Sequence, residues 1–194
     1  LLGPNGAGKS TLLRLLAGLL RPESGMLAWE GRAVDWDEHR GRLHYVGHLD
    51  AIKPALSVLE NLAFWAGWQG ADRPRAAAEA ALERLGIGHL ADLPGRVLSA
   101  GQKRRLALAR ILARPRPVWL LDEPTVALDR GAVATLEGLI AEHRAGGGLV
   151  IAATHADFAM PGAAVFDLGA HKRAQAARAA EDEADEYDDD GAGA

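Results

Sequence analysis

Apolar residues crowd the stretch that follows Lys9-Ser10-Thr11. Leu12, Leu13, Leu15, Leu16, Ala17, Leu19 and Leu20 predict a helix over Ser10 to Leu20 that is buried on most of its sides. Gly18 to Pro22 end it, with a turn at Arg21-Pro22-Glu23-Ser24-Gly25. Met26 to Trp29 and Leu43 to Val46 are short strand candidates, separated by the polar, glycine-flanked stretch Gly31 to Arg42. The pattern turns helical from Ser57 to Leu85, with one segment at Val58 to Trp68 and an alanine-rich one at Arg75 to Leu85. Ser99 can cap a further helix through Leu106, Leu108, Ala109 and Leu112, which Pro115 and Pro117 stop. Val118 to Leu121 is a continuous apolar run, as a strand buried on both faces requires. Leu149 to Ala153 repeats that pattern after a helical stretch, Val133 to Arg144, and the glycines 146 to 148. Strands alternating with helices predict an α/β fold with a parallel sheet, whose ligands bind at the carboxyl ends of the strands.

Composition narrows the class of protein. The 194 residues are 48% hydrophobic, enough for one domain with a real core. There is no cysteine, which excludes a disulfide framework and thiolate metal sites and fits a reducing cytoplasm. No apolar stretch approaches the roughly 18 to 20 residues needed to span a bilayer, so membrane contact is expected through a partner. The net charge of -4 conceals an uneven distribution, because eight of the 26 acids lie in one run, Glu181 to Asp190. With those eight set aside, 22 Lys and Arg face 18 acids, and the body carries +4. The run reads as a disordered, solubilising tail. The body's basicity is too weak and too scattered to argue for nucleic acid.

Three groups of residues carry chemistry. The first is Gly3-Pro4-Asn5-Gly6-Ala7-Gly8-Lys9-Ser10-Thr11, a strand remnant leading through glycines into a helix. Glycines at 3, 6 and 8 let successive amides converge on phosphate oxygens, and the following helix adds its positive end. In that arrangement Lys9 bridges the β- and γ-phosphates, Ser10 ligates Mg²⁺ and Thr11 donates to the α-phosphate. The second group is Asp122 and Glu123, which follow the apolar strand and so stand where a γ-phosphate would sit. Asp122 is expected to hold Mg²⁺ through water, and Glu123 to orient and partly deprotonate the attacking water. The third is Ser99-Ala100-Gly101-Gln102 at a helix N-terminus, a second anion site. One chain does not need two sites for the same γ-phosphate, whereas a second copy does.

With these residues in order, the chain resembles the nucleotide-binding subunits of ABC transporters. The resemblance covers residues 1–169 and implies the P-loop ABC ATPase fold, a mainly parallel sheet flanked by helices, with an inserted helical lobe at 57–113 and the tail at 170–194. It implies ATP and Mg²⁺ as cofactors, and two copies that sandwich two ATPs head to tail, Ser99 to Gln102 of one reaching the phosphate loop of the other. Ala127-Leu128-Asp129 resembles the loop that communicates across that interface, and His155 matches the switch histidine that senses the γ-phosphate. Integral membrane permease subunits are the other implied partners, which places the chain peripherally on the cytoplasmic face of the bacterial inner membrane.

One position departs from the usual pattern. Where the family carries a glutamine in the loop that touches Mg²⁺ and couples to the membrane partner, this chain has His48, whose neutral ring offers nitrogen to a hard cation. The strings Tyr45 to Lys53 and Leu59-Glu60-Asn61-Leu62, with Leu98 to Gln102, are similar to one branch, the ATP-binding subunit of the haem exporter used in cytochrome c maturation. Phe64, Trp65 and Trp68 follow on one helical segment. Packing inside the lobe is the first expectation for them, and exposed anchors for a membrane-subunit helix the second. Leu1 and Leu2 read as the end of a buried strand, which leads to the expectation of a longer protein that also carries an adenine-stacking aromatic residue upstream. Export of another cargo, a soluble ABC ATPase of DNA repair or translation, and a non-catalytic partner-binding chain stay open as alternatives.

Overall fold

The computed structural model describes residues 1–154, 158 and 160–175. The chain enters helix α1 (Lys9–Leu16) directly from the glycine loop. A short antiparallel hairpin follows, β1 (Ala28–Trp29) against β2 (Arg32–Ala33). Helix α2 (Trp36–Gly41) starts at Asp35, whose carboxylate accepts from the amides of Asp37 and Glu38 at 2.9 and 3.0 Å. After β3 (Leu43–Val46) come α3 (Val58–Trp68) and α4 (Pro74–Arg84). Ser57 and Glu60 close a reciprocal cap on α3, and α4 opens on a proline, which lacks an amide hydrogen that the first turn would leave unpaired anyway. Helix α5 (Ala100–Ala113) carries the same reciprocal cap through Ser99 and Gln102. Then β4 (Val118–Asp122), α6 (Arg130–Ala145) and β5 (Leu149–Ala153) complete the sheet.

Strands β3, β4 and β5 run parallel in that spatial order, with Val46 beside Leu121 and Asp122 beside Ala153. The central strand explains the continuous apolar run. Trp119 and Leu121 point into a large core shared with α3, α4, α5 and α6, while Val118 and Leu120 meet Leu13, Ala17, Leu43 and Ala153 on the opposite face. Burying each such leucine contributes about 1.5–3 kcal/mol, so both faces of β4 anchor its carboxyl end. Leu1 and Leu2 extend the same sheet. The Leu1 carbonyl accepts from Thr154 at 3.3 Å, while Leu2 donates to Phe166 at 2.9 Å and accepts from Leu168 at 3.0 Å. The glycine loop therefore leaves the sheet between β5 and residues 166–168.

Several expectations need correction. Helix α1 stops at Leu16, because Gly18 turns left-handed at φ +69°. Leu19 and Leu20 are exposed, and the fully buried apolar positions are Leu13 and Ala17, since the helix lies on one face of the sheet. The polar stretch 31–42 holds β2 and the Asp35-capped α2. Helices α3, α4 and α5 pack together and on Trp119 and Leu121, in one core with α6. Beyond 169 the chain continues as helix over 168–175, capped by Asp167 Oδ1, which accepts from Gly169 and Ala170 at 2.9 and 3.0 Å. The acidic run Glu181 to Asp190 lies outside the described residues.

Candidate active site

The glycine loop is built to face an anion. Gly8 caps α1 with φ +101°, a conformation that L side chains rarely adopt, so a side chain there would strain the turn into the helix. The turn it makes places the loop at the N-terminal, positive end of α1. Lys9 is buried and curls back across the loop, its ammonium donating to the carbonyls of Gly3 at 2.7 Å and Pro4 at 3.3 Å. The helical residues 168–175 support the loop from outside. Gly169 is buried so close to Pro4 that a Cβ there would stand 2.9 Å from its ring. Asn5, Gly6, Ala7, Gly8, Ser10 and Thr11 open onto a cleft of about 630 Å³. That volume suits a bound small molecule, for which roughly 300–1,000 Å³ is usual. Another hollow of about 610 Å³ lies under the β1–β2 hairpin, lined by Trp29, Arg32 and His39, away from these donors.

Of the two carboxylates at the end of β4, Glu123 lines this cleft and Asp122 lies buried against Ser10, which lines it. Asp122 is 1% exposed, and its Oδ1 accepts from the Ser10 hydroxyl at 2.9 Å. Its Oδ2 is buried with no hydrogen-bond partner among the described residues. A carboxylate oxygen left bare beside a hydroxyl is the donor set that a small hard cation takes, so the residues fit Mg²⁺. No group of three or more His, Cys, Asp or Glu side chains forms a metal site among the described residues, and Mg²⁺ with two protein ligands and substrate phosphates needs none. Glu123 lines the cleft with Thr125, Val126 and His48. Its φ is +48°, uncommon for a residue with a side chain, and its amide pairs with Ala153 at 2.8 Å. The expected loop residue His48 is thus brought to the phosphate loop. Thr125 and Val126 were not anticipated, because nothing in their spacing marks them.

Ser99 stands apart from this cleft. Ser99 accepts from the Gln102 amide at 3.2 Å, and Gln102 Oε1 accepts from the Ser99 amide at 2.9 Å. The Ser99 hydroxyl proton remains available to another acceptor. Ser99, Gly101 and Gln102 line a different hollow, with His89, Arg105 and Asp129. Gly101 is needed for close packing: a Cβ there would stand 2.7 Å from the Ala127 carbonyl oxygen. Asp129 caps α6 by accepting from Ala132 at 2.8 Å and pairs with Arg105. The Ala132 amide, followed by the Arg105 charge, holds its carboxyl below the usual range. One copy of the chain therefore does not bring Ser99 and Asp129 to the phosphate loop. His155 lies outside the described residues.

Residues 1–126 match a family model whose description is ABC transporter. The chain belongs to the ABC transporter family. Among its relatives, the cytochrome c biogenesis ATP-binding export protein CcmA of Paramagnetospirillum magneticum is 59% identical over 172 residues, covering 87% of this chain and 79% of that protein. The protein of the same description from Rhodospirillum rubrum is 59% identical over 170 residues, covering 87% of this chain and 72% of that protein. A solved dimeric ATP-binding cassette in a post-hydrolysis state, bound to ADP and Pi, superposes with a TM-score of 0.71 at 28% identity, covering 79% of this chain and 72% of that one. The P-loop ABC ATPase fold is thereby established, and the cytochrome c biogenesis branch with it.

This ABC chain also shows an apolar groove between α3 and the sheet. Leu19, Leu49, Trp65 and Trp68 line it together with Arg110 and Arg116. Trp68 is 73% exposed and Phe64 44%, which corrects the expectation that these rings pack inside the lobe. Only Trp65 is half-buried, with the Arg110 guanidinium 5.0 Å from its ring centre. Burial pushes the pKa of Arg110 down to about 10. No helix among the described residues is long and apolar enough to cross a membrane.

Proposed function

We propose that this chain is the ATP-hydrolysing motor of an exporter for cytochrome c maturation, with haem as the cargo of its membrane partners. The observation that carries the catalytic part is the convergence of Lys9, Ser10 and Glu123 on one cleft at the carboxyl end of β4, with Asp122 bonded to Ser10 behind it. In this reading Lys9 shifts its donors from the Gly3 and Pro4 carbonyls to β- and γ-phosphate oxygens. The amides of Gly6 to Thr11 hold the remaining phosphate charge, and Ser10 with Asp122 holds Mg²⁺. When bound, that ion neutralises charge on the phosphate oxygens. Glu123 accepts a hydrogen bond from the attacking water and takes its proton as the bond to the ADP leaving group breaks. His155 would then sense the γ-phosphate.

The separate hollow at Ser99 supports a two-copy mechanism. The Ser99 hydroxyl and the α5 amides would bind the γ-phosphate held by a second copy, with Gly101 and Gln102 shaping that contact and Asp129 beside it. ATP glues the two copies and hydrolysis releases them. The groove at Trp68 would receive a helix of a membrane subunit, which holds the motor on the cytoplasmic face of the inner membrane.

The Glu123→Gln variant tests this reading. Turnover is expected to fall by about 10²- to 10⁴-fold, the usual contribution of a positioned general base, while ATP traps a dimer visible by light scattering. A Glu123→Gln chain that keeps its wild-type rate would remove Glu123 from the mechanism. One that stays monomeric with saturating ATP would remove the sandwich.

A further inference from the structure

Arg104 lies inside the first turns of α5, five positions after Ser99, and is 4% exposed. Its guanidinium is surrounded by backbone oxygen. Nη2 donates to the carbonyls of Asp122 at 2.6 Å and Glu123 at 2.8 Å, and Nε to that of Pro124 at 3.3 Å. Nη1 donates to the Gly47 carbonyl at 2.8 Å and to Asp50 Oδ1 at 3.3 Å. One planar cation therefore pins two loops. The first carries Glu123 in its positive-φ conformation, and the second carries His48 between Gly47 and Asp50.

We infer that Arg104 is a positioning residue for hydrolysis. It holds the Glu123 carboxylate in its working direction and ties that direction to the placement of α5. The chemistry of the fork explains the choice of residue. A guanidinium offers five donors in one rigid plane, enough for carbonyls from two separate loops, whereas a lysine ammonium has three donors at a single point. The connection also has a direction. Ser99 opens the helix that Arg104 belongs to, so a shift of α5 when Ser99 engages a second copy moves the same guanidinium that grips Asp122, Glu123 and Pro124. Asp50 is the second arm, only partly buried, and fixes Nη1 from the His48 loop. This inference rests on the proposed ATPase function, and it adds a residue that touches neither nucleotide nor metal.

The test uses steady-state ATPase kinetics and nucleotide affinity of the full chain. Arg104→Lys is expected to lower kcat about tenfold or more while KM and nucleotide affinity stay within about threefold. In a Glu123→Gln background the same substitution should cause no further loss of residual rate, because both changes act through one group. An equal loss in both backgrounds would show a general structural effect and overturn the inference, as would a rise in KM with kcat intact. If Arg104→Lys does not fold, Asp50→Asn gives the reading. It should lower kcat about threefold or more, again without effect in the Glu123→Gln background, and a kcat within about twofold of wild type overturns the inference. A wild-type chain that does not hydrolyse ATP would overturn the parent function and this inference with it.

Discussion

The Ser10 hydroxyl donates to Asp122 Oδ1 at 2.9 Å, joining residues 112 positions apart. That bond couples the first turn of α1 to the carboxyl end of β4. It leaves the second carboxylate oxygen of Asp122 directed at buried space with no partner among the described residues. A buried carboxylate arranged in this way is costly without a cation or further donors, and such costs are tolerated where function uses them.

Asp122→Asn keeps the shape and removes the charge. Turnover is expected to fall by about 10²- to 10³-fold, and the Mg²⁺ concentration for half-maximal rate to rise. A Mg²⁺ titration of ATPase activity reads both. An unchanged Mg²⁺ requirement would show that Asp122 does not hold the ion.

His44 makes stability depend on pH. Its ring is buried beside β4 and bonds the Arg114 carbonyl at 2.5 Å, and burial, reinforced by the charges of Arg116, Arg110 and His143, pushes its pKa from 6.5 to about 4. The unfolded chain binds this proton more readily, so the contribution is fully present above pH 6.5 and is lost as pH falls toward 4. The loss reaches about 3 kcal/mol. Burial lowers His143 in the same direction. Urea midpoints at pH 7 and pH 5 should differ less in His44→Gln than in wild type, and equal slopes would show that His44 is not responsible.

Trp68 presents an exposed ring at the groove next to α3. Trp68→Ala is expected to weaken association with the membrane subunits by about thirtyfold, the effect of losing a hot-spot anchor worth roughly 2 kcal/mol. Co-purification from solubilised membranes measures it. Full retention of the complex would move the docking surface elsewhere.

Local chemistry was legible in the sequence alone. The glycine loop, the Asp122-Glu123 pair after an apolar run and the cap at Ser99 depend on residues a few positions apart, so spacing reveals them. The span Val58–Trp68 was also legible, but not which of its rings reach solvent. That helix is apolar around much of its circumference, and periodicity then selects no single face. What only the tertiary structure decided are contacts between distant segments. It joined Ser10 to Asp122, gathered the carbonyls of Gly47, Asp122, Glu123 and Pro124 around Arg104, and kept Ser99 in a hollow of its own. Arg104 reads as one more charge in Lys103-Arg104-Arg105 until packing turns it inward. Backbone carbonyls are present at every residue, so no pattern of side chains announces which of them a buried guanidinium will meet.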